Sequence, residues 1–390
     1  MRKFGRVFAL TAGLTLLYPI VQAEASTYTE AERLVSEAEK HAGSLKWQIS
    51  VEHTKEIKYP DMLVFNATKD TYLIAKSATS KLNAIQRKQL EERLATNVEV
   101  HYNRAIGYID AITSGRKITE KTQRYKSLFE REPTSDHTEA AYHSLSEEIR
   151  KQASLLYRVY GQSTRSAILN KYKQPGQAAI NQTIYPITTK MEIDKLGDLI
   201  ERKSSQEKIS AKVEEIFGLF EFIYSDEFYE AFYGKYAEVI RKDPYFVQME
   251  IEVRAFFERY NDAYNTEDID KVKLVLHEDY PYREGDIELA IEMFPIYDLK
   301  FESISIEVLA ILGDIAIVRV VETEINEGDI EHEQMLHEVL YELKLSNGEW
   351  KVLNLQVIDS SPFNKEDENK SDTDNPAIED PNAPVVKKVY

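Results

Sequence analysis

The stretch Leu155–Lys173 reads LLYRVYGQSTRSAILNKYK and gathers tyrosines, arginines and lysines around a short Gly-Gln-Ser break. Arginine offers a planar fork that matches a carboxylate or a phosphate. A tyrosine ring offers a flat apolar face with a polar tip. Tyr157 and Tyr160 are three apart, so on a helix they share a face, with Arg158 on a neighbouring face and Arg165 opening the next helix. Such a set can hold a charged sugar. The opposing reading is packing, with the rings between helices and the arginines extended into water. Arg116 and Lys117 are further candidates for the same anionic ligand. Arg104, Lys121, Arg124 and Lys126 either extend a basic track or form a solvated face.

A second group lies in the last third of the chain. Phe257, Tyr260 and Tyr264 follow helix spacing and either line a pocket or belong to a core. Glu322 and Glu324 share one face of a strand, which reads as a solvated face in preference to an acid pair. His332 and His337 are five apart in a predicted strand and fall on opposite faces, against a shared metal. The chain contains no G-x-x-x-x-G-K-[ST], G-x-S-x-G or H-E-x-x-H, so phosphate loops, serine-hydrolase elbows and zinc proteases are unsupported. The acidic run KEDENKSDTDN lacks the spacing and glycine of a calcium loop. No catalytic residue, metal or cofactor is assigned, and the protein is read as a non-enzyme.

The elements that must position these residues divide by period. Up to about residue 222 the pattern is helix after helix. Leu82, Ile85, Leu90, Leu94, Val98, Ala105, Ile109 and Ile112 recur mainly at three- and four-residue steps and make one apolar stripe. Pro60-Asp61 marks a helix start, Gly161 suits the left-handed residue closing a helix, and Ser163 suits the next N-cap. Residues 223–248 read as an aromatic-rich helical connector in which Pro244 interrupts the pattern. Beyond it come two helices and then runs of alternating residues, with turns at Asp314 and Asn347-Gly348. Helices followed by antiparallel strands make an α+β domain.

The chain opens MRKFGRVFALTAGLTLLYPIVQAEAS, a basic head, a short apolar run and small residues at Ala23 and Ala25. This is the pattern of a cleaved secretory signal peptide. An exported chain with 0 cysteines draws its stability from packed cores and suits a Gram-positive bacterium. Disulfides, zinc fingers and thiol chemistry are excluded. After the signal no apolar run is long enough to span a bilayer. The formal charge of −18 is unevenly spread. Residues 26–220 carry 30 Lys+Arg and 26 Asp+Glu, a net +4, whereas residues 221–390 carry 16 and 40, a net −24. One half tolerates anions and the other repels them, which argues against a nucleic-acid partner.

The segment RVYGQSTRSAILNKYK resembles the corresponding hairpin of the helical N-terminal region of bacillar S-layer proteins of the SbsC type. The upstream YPDMLVFNATKDTYLIAKSA is similar to an earlier helix of that region, and the likeness runs over about residues 28–220. The resemblance implies triple-helix bundles that dock on an anionic secondary cell-wall polymer. It implies Tyr157, Arg158, Tyr160 and Arg165 as contacts to that carbohydrate. The long series of β-sandwich domains of the S-layer protein is missing, so attachment carries over and lattice assembly does not. FFERYNDAYNTEDIDKVKLVLHEDY resembles the opening helices of the NTF2-like (SnoaL-like) superfamily, over about residues 250–359. That likeness implies a curved sheet wrapping the first helix as a cone.

The expected fold class is mixed: elongated all-α consecutive three-helix bundles, then an α+β cone with a curved antiparallel sheet. The expected division is a signal peptide at 1–25, a helical rod at 26–222, a connector at 223–248, an NTF2-like domain at 249–360 and a disordered acidic tail at 361–390. The expected function is extracellular attachment to the wall polymer, with the acidic domain held outward and binding a small molecule or a protein. Two rivals stand beside it: an extracellular dehydratase or isomerase using the NTF2-like pocket, and a protein–protein adaptor with the rod as spacer.

Overall fold

The computed structural model describes residues 20–328 and 333–363, with side chains from residue 27 onward. The body of the expected signal peptide, His332 and the expected tail beyond residue 363 lie outside the described residues. Backbone contacts divide the chain into two compact units, residues up to 130 with 137–182, and residues 131–136 with 183 onward.

The first unit is helical. Its elements are α1 (Ile20–Gln48), α2 (Val51–Thr54), α3 (Met62–Thr79), α4 (Ala84–Leu94), α5 (Val100–Arg131), α6 (Asp136–Tyr157), α7 (Gln162–Ile168) and α8 (Gln174–Gln182). One-turn π segments at Ala95–Glu99 and Leu169–Lys173 join α4 to α5 and α7 to α8. On α1 the buried stripe is Ala31, Val35, Ala38 and Ala42, small residues that let the backbone of α3 approach. That stripe, Tyr72 and Ala75 of α3 and Leu90, Leu94 and Val98 of the next helix make one three-helix core. A second core joins the later half of α5 to α6 and α8: Tyr125 meets the Tyr142 ring edge-on at 5.7 Å, and Gly176 lies against Thr122, Ile118 and Ile149.

Local chemistry sets the helix ends. Asp61 caps α3 by accepting from the Leu63 amide at 2.8 Å, and Asn83 caps α4. The α6–α7 break departs from expectation. α6 ends at Tyr157, and Gly161, at φ +84°, is the N-cap of α7 and not the C′ residue of α6. Ser163 therefore sits inside the first turn of α7, where its hydroxyl donates to Glu52.

The second unit begins with α9 (Ile184–Glu201), α10 (Gln206–Phe220) and α11 (Asp226–Ile240). α12 (Pro244–Asn265) follows, then α13 (Ile269–Val275) and α14 (Arg283–Met293). Pro244 does not interrupt a helix; it opens α12 at the position that needs no amide hydrogen, behind the Asp243 cap. The strands β1 (Leu299–Leu312), β2 (Ile315–Asn326), β3 (Met335–Ser346) and β4 (Glu349–Pro362) form an antiparallel meander in that order. Asn347 and Gly348, both with positive φ, make the tight β3–β4 turn. Register shifts in β1 and between β3 and β4 curve the sheet. α12 packs on it, with Phe257 against Tyr341 at 5.1 Å and the Asn265 side chain bonded to both backbone groups of Phe301. One hydrophobic core runs from Ile193 of α9 through α12 to Val352 of β4. The chain is thus mostly helical and ends in a four-stranded antiparallel sheet. No described helix is long and apolar enough to cross a membrane.

Candidate functional site

The last turn of α1, the first turns of α5 and the α6–α7 break enclose a cleft of about 500 Å³. α1 brings Lys46 and Trp47. Neither continues the buried Ala38–Ala42–Leu45 stripe, so both point outward, and Trp47 is 51% exposed. α5 brings His101 and Arg104, and the break brings Tyr160, Gly161 and Thr164. The Arg104 guanidinium lies 3.2 Å from the centroid of the Tyr160 ring, which is still 61% exposed. Lys46 Nζ lies 5.1 Å from the Trp47 centroid, and Trp47 in turn meets His53 at 5.2 Å.

Hydrogen bonds fix the walls. The Val51 amide donates to Thr164 Oγ1 at 3.1 Å, Ser163 donates to Glu52, and Lys171 Nζ donates to the Ile57 carbonyl at 2.8 Å. Among the described residues neither Lys46 nor Arg104 has an ion-pair partner, whereas Arg93 in the same unit binds Glu39 at 2.7 Å. Burial, reinforced by Lys46 and Arg104, holds the His101 pKa below its ordinary value. The cleft therefore presents two cations, the His101 imidazole and two exposed rings beside one carboxylate, Glu52, a net positive surface suited to an acidic sugar.

Of the residues expected to act together, Tyr160 lines this cleft. Tyr157 and Arg158 are exposed but do not line it, and Tyr157 Oη accepts from Lys173 Nζ at 3.0 Å. Arg165 is half-buried and turns back to donate to the Val159 carbonyl at 3.3 Å. Arg116 stacks over Tyr59 at 4.6 Å, away from the cleft, and Lys117 lines a separate groove. Lys46, Trp47 and His101 are additions from the structure. The one sequence signal for them is a tryptophan off the apolar stripe of α1.

In the second unit Phe257 is fully buried, Tyr260 is 8% exposed, and Tyr264 meets Tyr260 at 4.9 Å and Phe301 at 5.5 Å. They converge on Glu322, which is buried and not on a solvated face as expected. The curved sheet turns this face of β2 inward, toward α12. Tyr341 Oη donates to the Glu322 carboxyl at 2.9 and 3.1 Å, and Tyr341 lies 5.8 Å from Tyr260. Burial pushes the Glu322 pKa up to about 7, opposed by the Tyr341 hydrogen bond and aided by Glu324. Burial raises Tyr260 and Tyr341 as well, and Tyr264 to about 12. Glu324 itself faces His337, whose Nε2 is 3.5 Å away and whose Nδ1 meets Ser360 Oγ at 2.8 Å.

Two family matches fall on these two regions. Residues 46–177 match the SbsC C-terminal domain family, and residues 255–362 match the C-terminal domain of the anti-sigma-I factor RsgI9. The helical half is thus similar to surface-layer proteins of the SbsC kind, as its RVYGQSTRSAILNKYK stretch implied. Over 152 residues the chain is 28% identical to an S-layer protein of Geobacillus stearothermophilus; the match covers 38% of this chain and 11% of that protein. Among solved structures, the S-layer protein rSbsC(31–844) aligns at 16% identity and a TM-score of 0.44, covering 86% of this chain and 46% of that one. The N-terminal part of SbsC aligns at 18% identity and 0.43, covering 84% and 78%.

Proposed function

We propose that the chain is an extracellular, wall-associated protein of surface-layer type whose helical part binds an anionic cell-wall polysaccharide. The match of residues 46–177 to the SbsC family supports the class, and the name of the Geobacillus relative supports the surface location. One observation carries the binding reading: an Arg104 guanidinium without a carboxylate partner, stacked on the exposed ring of Tyr160 in an open cleft. The guanidinium supplies a fork for a sugar carboxylate or phosphate, and Trp47 and Tyr160 supply faces for sugar rings. In this reading residues 26–222 anchor the protein, and residues 249–360 form an NTF2-like domain that offers a small molecule or a protein its own site.

The full chain is expected to co-sediment with bacterial walls that keep their acidic polymer and to stay in solution when the polymer has been stripped. Combining Arg104→Ala with Tyr160→Ala is expected to lower retention about tenfold or more while helicity by circular dichroism stays unchanged. Equal binding to stripped walls sinks polymer recognition.

A second reading, an acid–base enzyme of dehydratase or isomerase type, draws on Glu322. A buried carboxyl bonded to Tyr341 beside Tyr260 is able to donate a proton near neutral pH. It requires that small carbonyl compounds protect the second unit against heat, and that Glu322→Gln abolish any turnover found.

A further inference from the structure

α5 carries a second cleft, of about 400 Å³, between its later turns and α6. Ala140 and Ala141 keep one wall low, so the space is not filled from α6. Lys117, Lys121 and Arg124 line the other wall, and among the described residues none of the three has an ion-pair partner. Ser144 Oγ accepts from Lys121 Nζ at 2.6 Å, which orders the ammonium and leaves its other donors for a ligand. Glu120 and Glu148 also border the space, and Glu148 accepts from Gln152 at 2.7 Å. Three cations against two carboxylates leave the groove net positive, with acceptors for sugar hydroxyls as well as donors for an acid group.

Helix geometry separates this groove from the Arg104 cleft. At 100° and 1.5 Å per residue, Lys117 and Arg124 lie about 140–160° around α5 from Arg104 and about 20–30 Å along it. The two clefts open on different sides of one helix, and a short glycan cannot reach from one to the other. We infer that the helical unit holds two separate anionic-sugar sites on opposite sides of α5, so that one molecule engages two polymer segments and cross-links them. This rests on the polymer reading above and adds a second site to it.

Equilibrium dialysis of the full chain against a hyaluronan disaccharide, which carries one carboxylate, counts the sites. Two equivalents are expected at saturation. Arg104→Ala is expected to leave one, and Lys117→Gln with Lys121→Gln and Arg124→Gln is expected to leave the other. On polymer-coated beads either change is expected to lower apparent affinity at least about tenfold, because linked sites reinforce each other. The wild-type chain alone should also turn a dilute bead suspension turbid, a readout that needs no variant. A single equivalent lost with Arg104→Ala, and no bead clustering, overturns the second site and leaves polymer binding standing. No bound disaccharide overturns it too, and absence of wall binding in the sedimentation assay is what removes the parent reading.

Discussion

At the scale of single residues, Glu322 controls how the second unit responds to pH. Glu322 is 7% exposed, its hydrogen-bond donor is a neutral phenol, and the charge that acts on it is Glu324, of like sign. The folded state therefore holds the proton up to about pH 7, against 4.5 for the ordinary carboxyl. A pKa raised on folding gives stability that is complete below the unfolded value and is lost as pH rises through the folded one. Between about pH 4.5 and 7 this group should cost about 3 kcal/mol of stability. Urea unfolding at pH 5 and pH 8.5 is expected to show that loss in the wild type, and Glu322→Gln should flatten it and be the more stable protein at pH 8.5. An unchanged slope in the variant would assign the pH dependence elsewhere. Sequence showed that Glu322 and Glu324 share a face but not which way the face turned, because inward curvature depends on bulges that no residue type announces. The Arg104–Tyr160 pair was hidden for a similar reason: the residues are 56 positions apart and meet only when α5 packs beside the α6–α7 break.

At the scale of elements, two glycines on α5 separate helix propensity from packing. Adding a Cβ at Gly107 meets nothing within 4 Å, whereas at Gly115 it would lie 2.3 Å from Cγ of the Tyr172 ring. Alanine favours a helix by about 1 kcal/mol over glycine. Gly107→Ala should therefore stabilise the helical unit by up to about that amount. Gly115→Ala should destabilise it by about 1–3 kcal/mol net, because the π segment carrying Tyr172 has to retreat from α5. Thermal melts followed by circular dichroism distinguish the two, and a rise in melting temperature for both would mean that the contact between α5 and the π segment at Tyr172 is looser than described. Most of the Leu82–Ile112 stripe, the Pro60-Asp61 helix start and the Asn347-Gly348 turn were legible because each rests on neighbours in sequence, whereas Ile85 of that stripe is 84% exposed on the first turn of α4. Gly161 and Pro244 were placed at the right breaks with the wrong role. The same residue types serve the end of one helix and the start of the next, and only the partners decide which.

At the scale of the whole molecule, each compact unit has its own buried core, so heat or denaturant is not expected to unfold the chain in one step. The sequence holds 2 tryptophans, and they fall one to each unit: Trp47 is 51% exposed in the helical unit, and Trp350 is 2% exposed in the sheet. Trp47→Phe leaves Trp350 as the sole indole reporter of the second unit, while helix content by circular dichroism reports both. At pH 8.5, where Glu322 is charged, the Trp350 transition is expected to shift to lower denaturant than at pH 5. The first unit should respond with the opposite sign: burial lowers the His101 pKa on folding, so its contribution is lost as pH falls, and its part of the helical signal should not move to lower denaturant at pH 8.5. A single transition, coincident by both probes at both pH values, would mean that the units fold as one cooperative body.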